Sequence, residues 1–179
     1  FFFFFFFFDP PNLSIRDSFG MTVLHVLSEF GFYRVNPSIL RTMIMLLEAG
    51  ANINATDSQG QTPLHYSRNL NMTRMLIERG ANINATDSQG QTPLHKAVRS
   101  RNSSLVTLLL GAGTSVQGIS LFEAIRVGSI PLVEKLIESG ADVNARDSQT
   151  RGQTLLQYTI TLTKPNIRAW EASLKPEII

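Results

Sequence analysis

The sequence predicts an all-α fold: a solenoid of about five helix–turn–helix units with short hairpin-like fingers. Three observations predict it. Residues 50–65 read GANINATDSQGQTPLH, and residues 80–95 repeat the same sixteen letters thirty positions later. Self-similarity at a period of about 20–50 residues marks a stack of like supersecondary units. Looser copies flank the pair at residues 17–25 (DSFGMTVLH) and 140–147 (GADVNARD). Within the two identical copies, moreover, a helix-start signal follows a turn signal at a constant distance.

The letters of one unit carry its physics. Thr62-Pro63 sets a hydroxyl at a helix N-cap and proline at the first helical position. There the missing N–H is no loss and the fixed φ is already helical. Leu64 and His65 continue that first helix. Met72, Thr73, Leu76 and Ile77 put an apolar stripe on a second helix, and Gly80 stands where a left-handed C-cap residue is wanted. Residues 81–85 read as extended, and Asp87-Ser88-Gln89-Gly90 is turn chemistry. Helix, turn, helix and protruding finger, with Asp-x-x-Gly-x-Thr-Pro-Leu-His complete at residues 57–65 and 87–95, resemble the ankyrin repeat. The resemblance implies stacked repeats of about 33 residues, covering residues 12–179.

In chain order, the first eight residues are all phenylalanine, a run with no helix or strand period. Uncharged and β-prone, it is an aggregation liability unless covered. Residues 1–11 are set apart as a low-complexity segment, artefactual or disordered, which Asp9-Pro10-Pro11 ends. The first repeat, residues 17–56, carries extra length around Phe32-Tyr33, aromatics that read as the cover of their own insert or as a binding knob. The second, residues 57–86, is three residues short between its helices. Its first helix, from Pro63 to about residue 69, should be stubby, and Ser67 stands where the family usually has alanine. The third, residues 87–113, has helices from Pro93 to about Ser100 and from Ser103 to Leu110, with Leu105, Val106, Leu109 and Leu110 inward. Residues 111–120 are too few for a full finger. The fourth, residues 114–146, starts its first helix at Leu121 behind an N-cap at Ser120. Its second helix turns Leu132, Val133, Leu136 and Ile137 inward and closes at Gly140. The fifth, residues 147–179, is truncated: Gln157 replaces the histidine, an insert surrounds Trp170, and residues 175–179 begin a last helix.

Sixteen basic and fourteen acidic residues leave a net charge of +2. The basic residues are scattered, and the densest group, Lys96, Arg99 and Arg101, reads as a solvated face, so no nucleic acid is expected. The absence of cysteine excludes disulfides and thiolate metal sites and fits an intracellular setting, cytoplasm or nucleus. No apolar run reaches the length of about 18 residues that a membrane span needs, and no basic n-region suggests a secretory signal. The first residue is Phe rather than Met, which reads as a fragment or an imperfect gene product. His25, His65 and His95 hold one place in successive repeats, about 8–10 Å apart at helix-packing distance. Ligands of one zinc lie about 2 Å from it, so the histidines should instead bridge neighbouring repeats by hydrogen bonds. Asp17, Asp57, Asp87 and Asp147 read as turn-formers rather than paired catalytic carboxylates. Residues 111–118 lack the Lys-Ser/Thr of a phosphate loop. No catalytic residue, metal ligand or cofactor is expected, and the chain reads as no enzyme.

The resemblance implies a protein–protein interaction module that binds another protein, of unspecified identity, through a concave surface of fingers and first helices. Carried onto this chain, the finger positions are Thr56, Ser58, Gln59, Gln61, Thr86, Ser88, Gln89 and Gln91. The helix positions are Arg68, Asn69, Arg99 and Ser100. His95 is expected to be buried scaffold and Gln89 an exposed tip. An accessory array within a larger enzyme, channel or effector is the alternative; a spacer or decaying gene product is a third, which the identical segments favour.

Overall fold

Short helices closed by polar caps account for nearly all the regular structure. The computed structural model describes residues 13–30 and 37–144, together with Arg146, Thr154 and Gln157. The phenylalanine run, the Phe32-Tyr33 insert, Trp170 and the segment 175–179 lie outside the described residues, as does most of the fifth repeat. The chain divides into two compact parts, residues 1–115 and 116–179.

The first part holds α1 (Val23–Phe30), α2 (Pro37–Glu48), α3 (Pro63–Tyr66), α4 (Leu70–Glu78), α5 (Pro93–Arg99) and α6 (Ser103–Gly111). Each later start has a chemical reason. Thr-Pro opens α3 and α5. Asn69 Oδ1 accepts from the Asn71 and Met72 N–H groups to cap α4, and Asn102 Oδ1 accepts from the Leu105 N–H to cap α6. The helices α1, α3 and α5 pack side by side, while α4 packs on α6 and α5 on α6. Leu24, Met43, Leu64, Met72, Leu76 and Ala81 form the core between them. Each large member contributes about 1.5–3 kcal/mol by leaving water.

Four-residue α3 is three residues shorter than seven-residue α5. It ends earlier than residue 69 because Ser67 turns to extended backbone, φ −69° and ψ 116°. The Ser67 and Thr73 hydroxyls share a buried hydrogen bond of 2.8 Å, so serine replaces the usual alanine with a polar tie.

The fingers correct one expectation, the extended reading of residues 81–85. Among the described residues the only β pairing is an isolated bridge between Arg146 and Thr154. Each long connector is instead a pair of turns. Residues 81–85, read as extended, are folded: the Ala85 N–H donates to the Asn82 carbonyl at 3.2 Å and the Asn84 N–H to Asn82 Oδ1 at 3.0 Å. Asn52 does the same for Ala55 and Asn54. An asparagine side chain that mimics a turn carbonyl wins over extended backbone here. Between α6 and the next helix, residues 112–120 carry one such turn, at Gln117-Gly118, where the longer connectors have two.

The second part contains α7 (Leu121–Val127) and α8 (Ile130–Glu138), packed on each other. Ser120 caps α7 in a reciprocal box with Glu123. Leu132 and Leu136 are buried, but Ile137, expected inward, is 49% exposed. Farther on, the Thr154 N–H donates to Gln157 Oε1 at 2.9 Å. The Gln157 side chain thus accepts the Thr154 N–H as histidine Nδ1 accepts the Thr22, Thr62 and Thr92 N–H groups.

Candidate functional site

Each long finger is built on a carboxylate. Asp57 Oδ1 accepts the Gln59 and Gln61 N–H groups, both at 2.8 Å. Asp87 Oδ1 accepts those of Gln89 and Gln91, both at 2.9 Å, and Asp17 holds Phe19 and Met21 likewise. The aspartates are therefore turn-formers. Their second oxygens reach the next first helix: Asp57 Oδ2 accepts from the Tyr66 hydroxyl at 2.7 Å, and Asp87 Oδ2 meets Lys96 Nζ at 3.0 Å. Tyr66 and Lys96 sit at the same place in their repeats and clamp finger to helix by different chemistry. Neither was singled out as a clamp; the shared nine-residue spacing from aspartate was the available signal. Burial and the Asp57 carboxylate push the Tyr66 phenol up. Burial alone would raise the Asp87 carboxyl, but the Gln91 N–H, Lys96 and the Gln89 N–H together hold it below the usual carboxylate range.

Successive tips are tied through their backbones. The Ser58 N–H donates to the Phe19 carbonyl at 3.0 Å, and the Ser88 N–H to the Gln59 carbonyl at 2.8 Å. Gly60, at φ +75°, lets the tips approach: a Cβ there would lie 3.1 Å from the Ser88 nitrogen. With the backbone engaged, the side chains of Thr56, Ser58, Gln59, Thr86, Ser88 and Gln89 are left exposed.

The histidines lock one repeat to the next. His25 Nδ1 accepts the Thr22 N–H at 3.0 Å, and its Nε2 pairs with the Gln61 carbonyl at 2.9 Å. His65 repeats this with the Thr62 N–H at 3.1 Å and the Gln91 carbonyl at 3.0 Å. An Nδ1 that accepts leaves Nε2–H to donate, which fixes a neutral tautomer. Burial pushes both rings below the ordinary imidazole value, against the pull of the Gln61 and Gln91 carbonyls. Both nitrogens are spoken for, so neither ring offers a metal a lone pair. His95 departs from expectation. It keeps the Thr92 N–H at 3.1 Å, but it is half-buried.

Where α3 stops short, a groove of about 510 Å³ opens between α1 and α5. Tyr66 and Ser67 line it at the end of α3, Glu29 lines it from α1, and Lys96, Arg99 and Ser100 from α5. Arg68 follows α3 on the same groove. Arg99 also reaches the neighbouring finger, donating to Gln91 Oε1 at 3.1 Å.

Of the helix positions named from sequence, Arg68, Arg99 and Ser100 are exposed and share this groove. Asn69 is not on a first helix; it is the N-cap of α4, its side-chain oxygen occupied. Gln61 is no exposed tip. It is 9% exposed, and its Nε2 donates to Gln59 Oε1 at 2.6 Å. Gln91 is half-buried beside Arg99.

Among the described residues, no helix is long and apolar enough to cross a membrane. Nor do three or more His, Asp or Glu side chains gather there as a metal site would require. Compared with known proteins, the chain matches the family model described as ankyrin repeats (3 copies) over residues 4–87 and 33–120. The single ankyrin repeat model matches residues 120–148. No curated protein matches the chain. Such repeats are generally protein–protein interaction modules and typically non-catalytic. With matches running through well over half of its residues, the chain belongs to the ankyrin repeat family.

Proposed function

We propose that this chain is a binding module that captures a protein partner on the face formed by its finger tips and first helices. The observation that carries this reading is the division of labour within each finger. Backbone and aspartate are consumed by the ladder, while the side chains of Ser58, Gln59, Ser88 and Gln89 stand exposed. Polar tips on a rigid scaffold suit directional recognition, because little conformational freedom is lost on docking. Thr56 and Thr86 flank the tips, and Arg68, Arg99 and Ser100 extend the face to the ends of the first helices. Gln61, Gln91 and Asn69 contribute by holding that face in shape.

A photo-cross-linking amino acid at Ser88 tests the reading, with the same group at exposed Arg74 on α4 as control. Adducts with a discrete protein from Ser88 and none from Arg74 are the expected outcome. Adducts from Arg74 alone would move the binding surface to the second helices.

A further inference from the structure

We infer that the groove left by the missing turn of α3 is a receptor for a carboxylate-bearing segment of the partner. This inference rests on the reading of the finger and first-helix face as the binding surface. Its origin is a deletion with a geometric consequence. In α5 the turn after Lys96 continues through Ala97 to Arg99, and α1 continues to Phe30. Between them α3 ends at Tyr66, so two helix ends flank a space of about 510 Å³. That is the size of a small-ligand pocket, which typically measures about 300–1,000 Å³, and it holds a few side chains rather than a whole helix.

The charge around that space is asymmetric. Arg68, Lys96 and Arg99 line it, and Glu29 is the sole acidic residue among those that do. Lys96 is balanced from below by Asp87, whose side chain is 3% exposed. Arg99 donates to a neutral amide, Oε1 of Gln91, at 3.1 Å. Gln91 is itself held at its backbone by Asp87 and His65, and Arg99 lines the groove. Arginine presents a planar fork of donors that fits a carboxylate with two parallel bonds. Arg101 stands two residues on, exposed, at φ 54°, and adds to the positive field of this end of α5. The Tyr66 ring supplies an apolar surface for the stem of an incoming glutamate; the Ser100 hydroxyl beside it already donates to the Ala97 carbonyl at 3.0 Å. An acidic side chain therefore finds a positive wall, an apolar surface and room. A basic one finds Glu29 alone.

The test measures binding of a fluorescein-labelled peptide of alternating alanine and glutamate by anisotropy, beside its alanine–lysine counterpart. The whole chain serves as receptor, as wild type, as the Arg68→Glu/Arg99→Glu double variant and as Arg74→Glu on α4. The acidic peptide should bind the wild type and the Arg74→Glu variant alike. Binding should weaken at least about tenfold in the double variant and fall with added salt. The lysine peptide should bind only the double variant. Equal weakening by Arg74→Glu, or tighter binding of the lysine peptide to the wild type, overturns the inference. So does a double variant that binds the acidic peptide unchanged. Thermal unfolding of each variant guards against a folding artefact; were the double variant to unfold, Arg99→Gln alone, with at least a threefold loss expected, replaces it. The Ser88 cross-link separates this inference from the one beneath it: adducts that persist while groove charge proves irrelevant leave the face reading intact and the acidic groove wrong, whereas loss of both removes the face itself.

Discussion

At the residue scale the histidines differ although their motifs match. His65 satisfies the Thr62 N–H and the Gln91 carbonyl. His65→Ala leaves both unpaired in a largely buried place and should cost about 1–3 kcal/mol. His95→Ala gives up the Thr92 bond at a half-buried site and should cost less. Gln89→Ala, at an exposed tip, should change stability by no more than about 0.5 kcal/mol. Denaturant midpoints rank the three, and a loss for Gln89→Ala equal to that for His65→Ala would contradict the division into scaffold and surface. Glycine gives a second contrast. Gly60 and Gly90 share φ near +75°, but an added Cβ meets the Ser88 nitrogen at 3.1 Å from Gly60 and nothing within 4 Å from Gly90. Gly60→Ala should therefore destabilise more than Gly90→Ala, the second costing only the strain of the left-handed backbone, about 1 kcal/mol. Equal midpoint shifts for the two would mean that the tips do not pack as described.

At the scale of elements, helix starts were more legible than helix ends or fingers. Thr-Pro at residues 62–63 and 92–93 and Ser120 all open helices where the letters put them, because an N-cap acts within a few residues of itself. The end of α3 was legible only as a deficit of three residues; its position depends on a hydroxyl pair, Ser67 and Thr73, that no local pattern announces. Residues 81–85 read as extended because their alternation mimics a strand, whereas Asn82 folds its own backbone. The groove was invisible for the same reason as the end of α3: it is the space between three helix ends. The tips Ser58, Gln59, Ser88 and Gln89 were legible because a turn exposes its central residues. Gln61 and Asn69 were not, since their burial and capping follow from Asp57 and α4. Element by element, Ser120→Ala should cost about 1 kcal/mol by opening the box with Glu123, with hydrogen exchange accelerating first in α7. Unchanged exchange across residues 121–127 would show that packing alone holds the helix.

At the scale of the whole molecule, the buried rings make stability depend on pH. His25 and His65 titrate below the ordinary imidazole value in the folded chain, so between the two values the unfolded chain binds more protons. Their contribution is full above about pH 6.5 and is lost as pH falls from there toward the folded values. Asp87, held below the carboxylate range, continues the loss as pH falls further, below about 4. Glutamine accepts the same N-cap bond at Thr154, so His65→Gln should keep part of the native stability and flatten the midpoint slope between pH 7.5 and 5.5. A slope identical to wild type would remove His65 from the titration. The central claim, that the exposed finger tips belong to the surface that recognises a partner, meets its most direct test in Gln59→Arg/Gln89→Arg. Both side chains are exposed, and Gln59 also gives up the bond that it accepts from Gln61 Nε2, so the denaturant curve should stay within about 1 kcal/mol of wild type. Capture of the protein cross-linked from Ser88 should fall at least tenfold, more than that small shift explains. Undiminished capture by a stably folded double variant would contradict the claim.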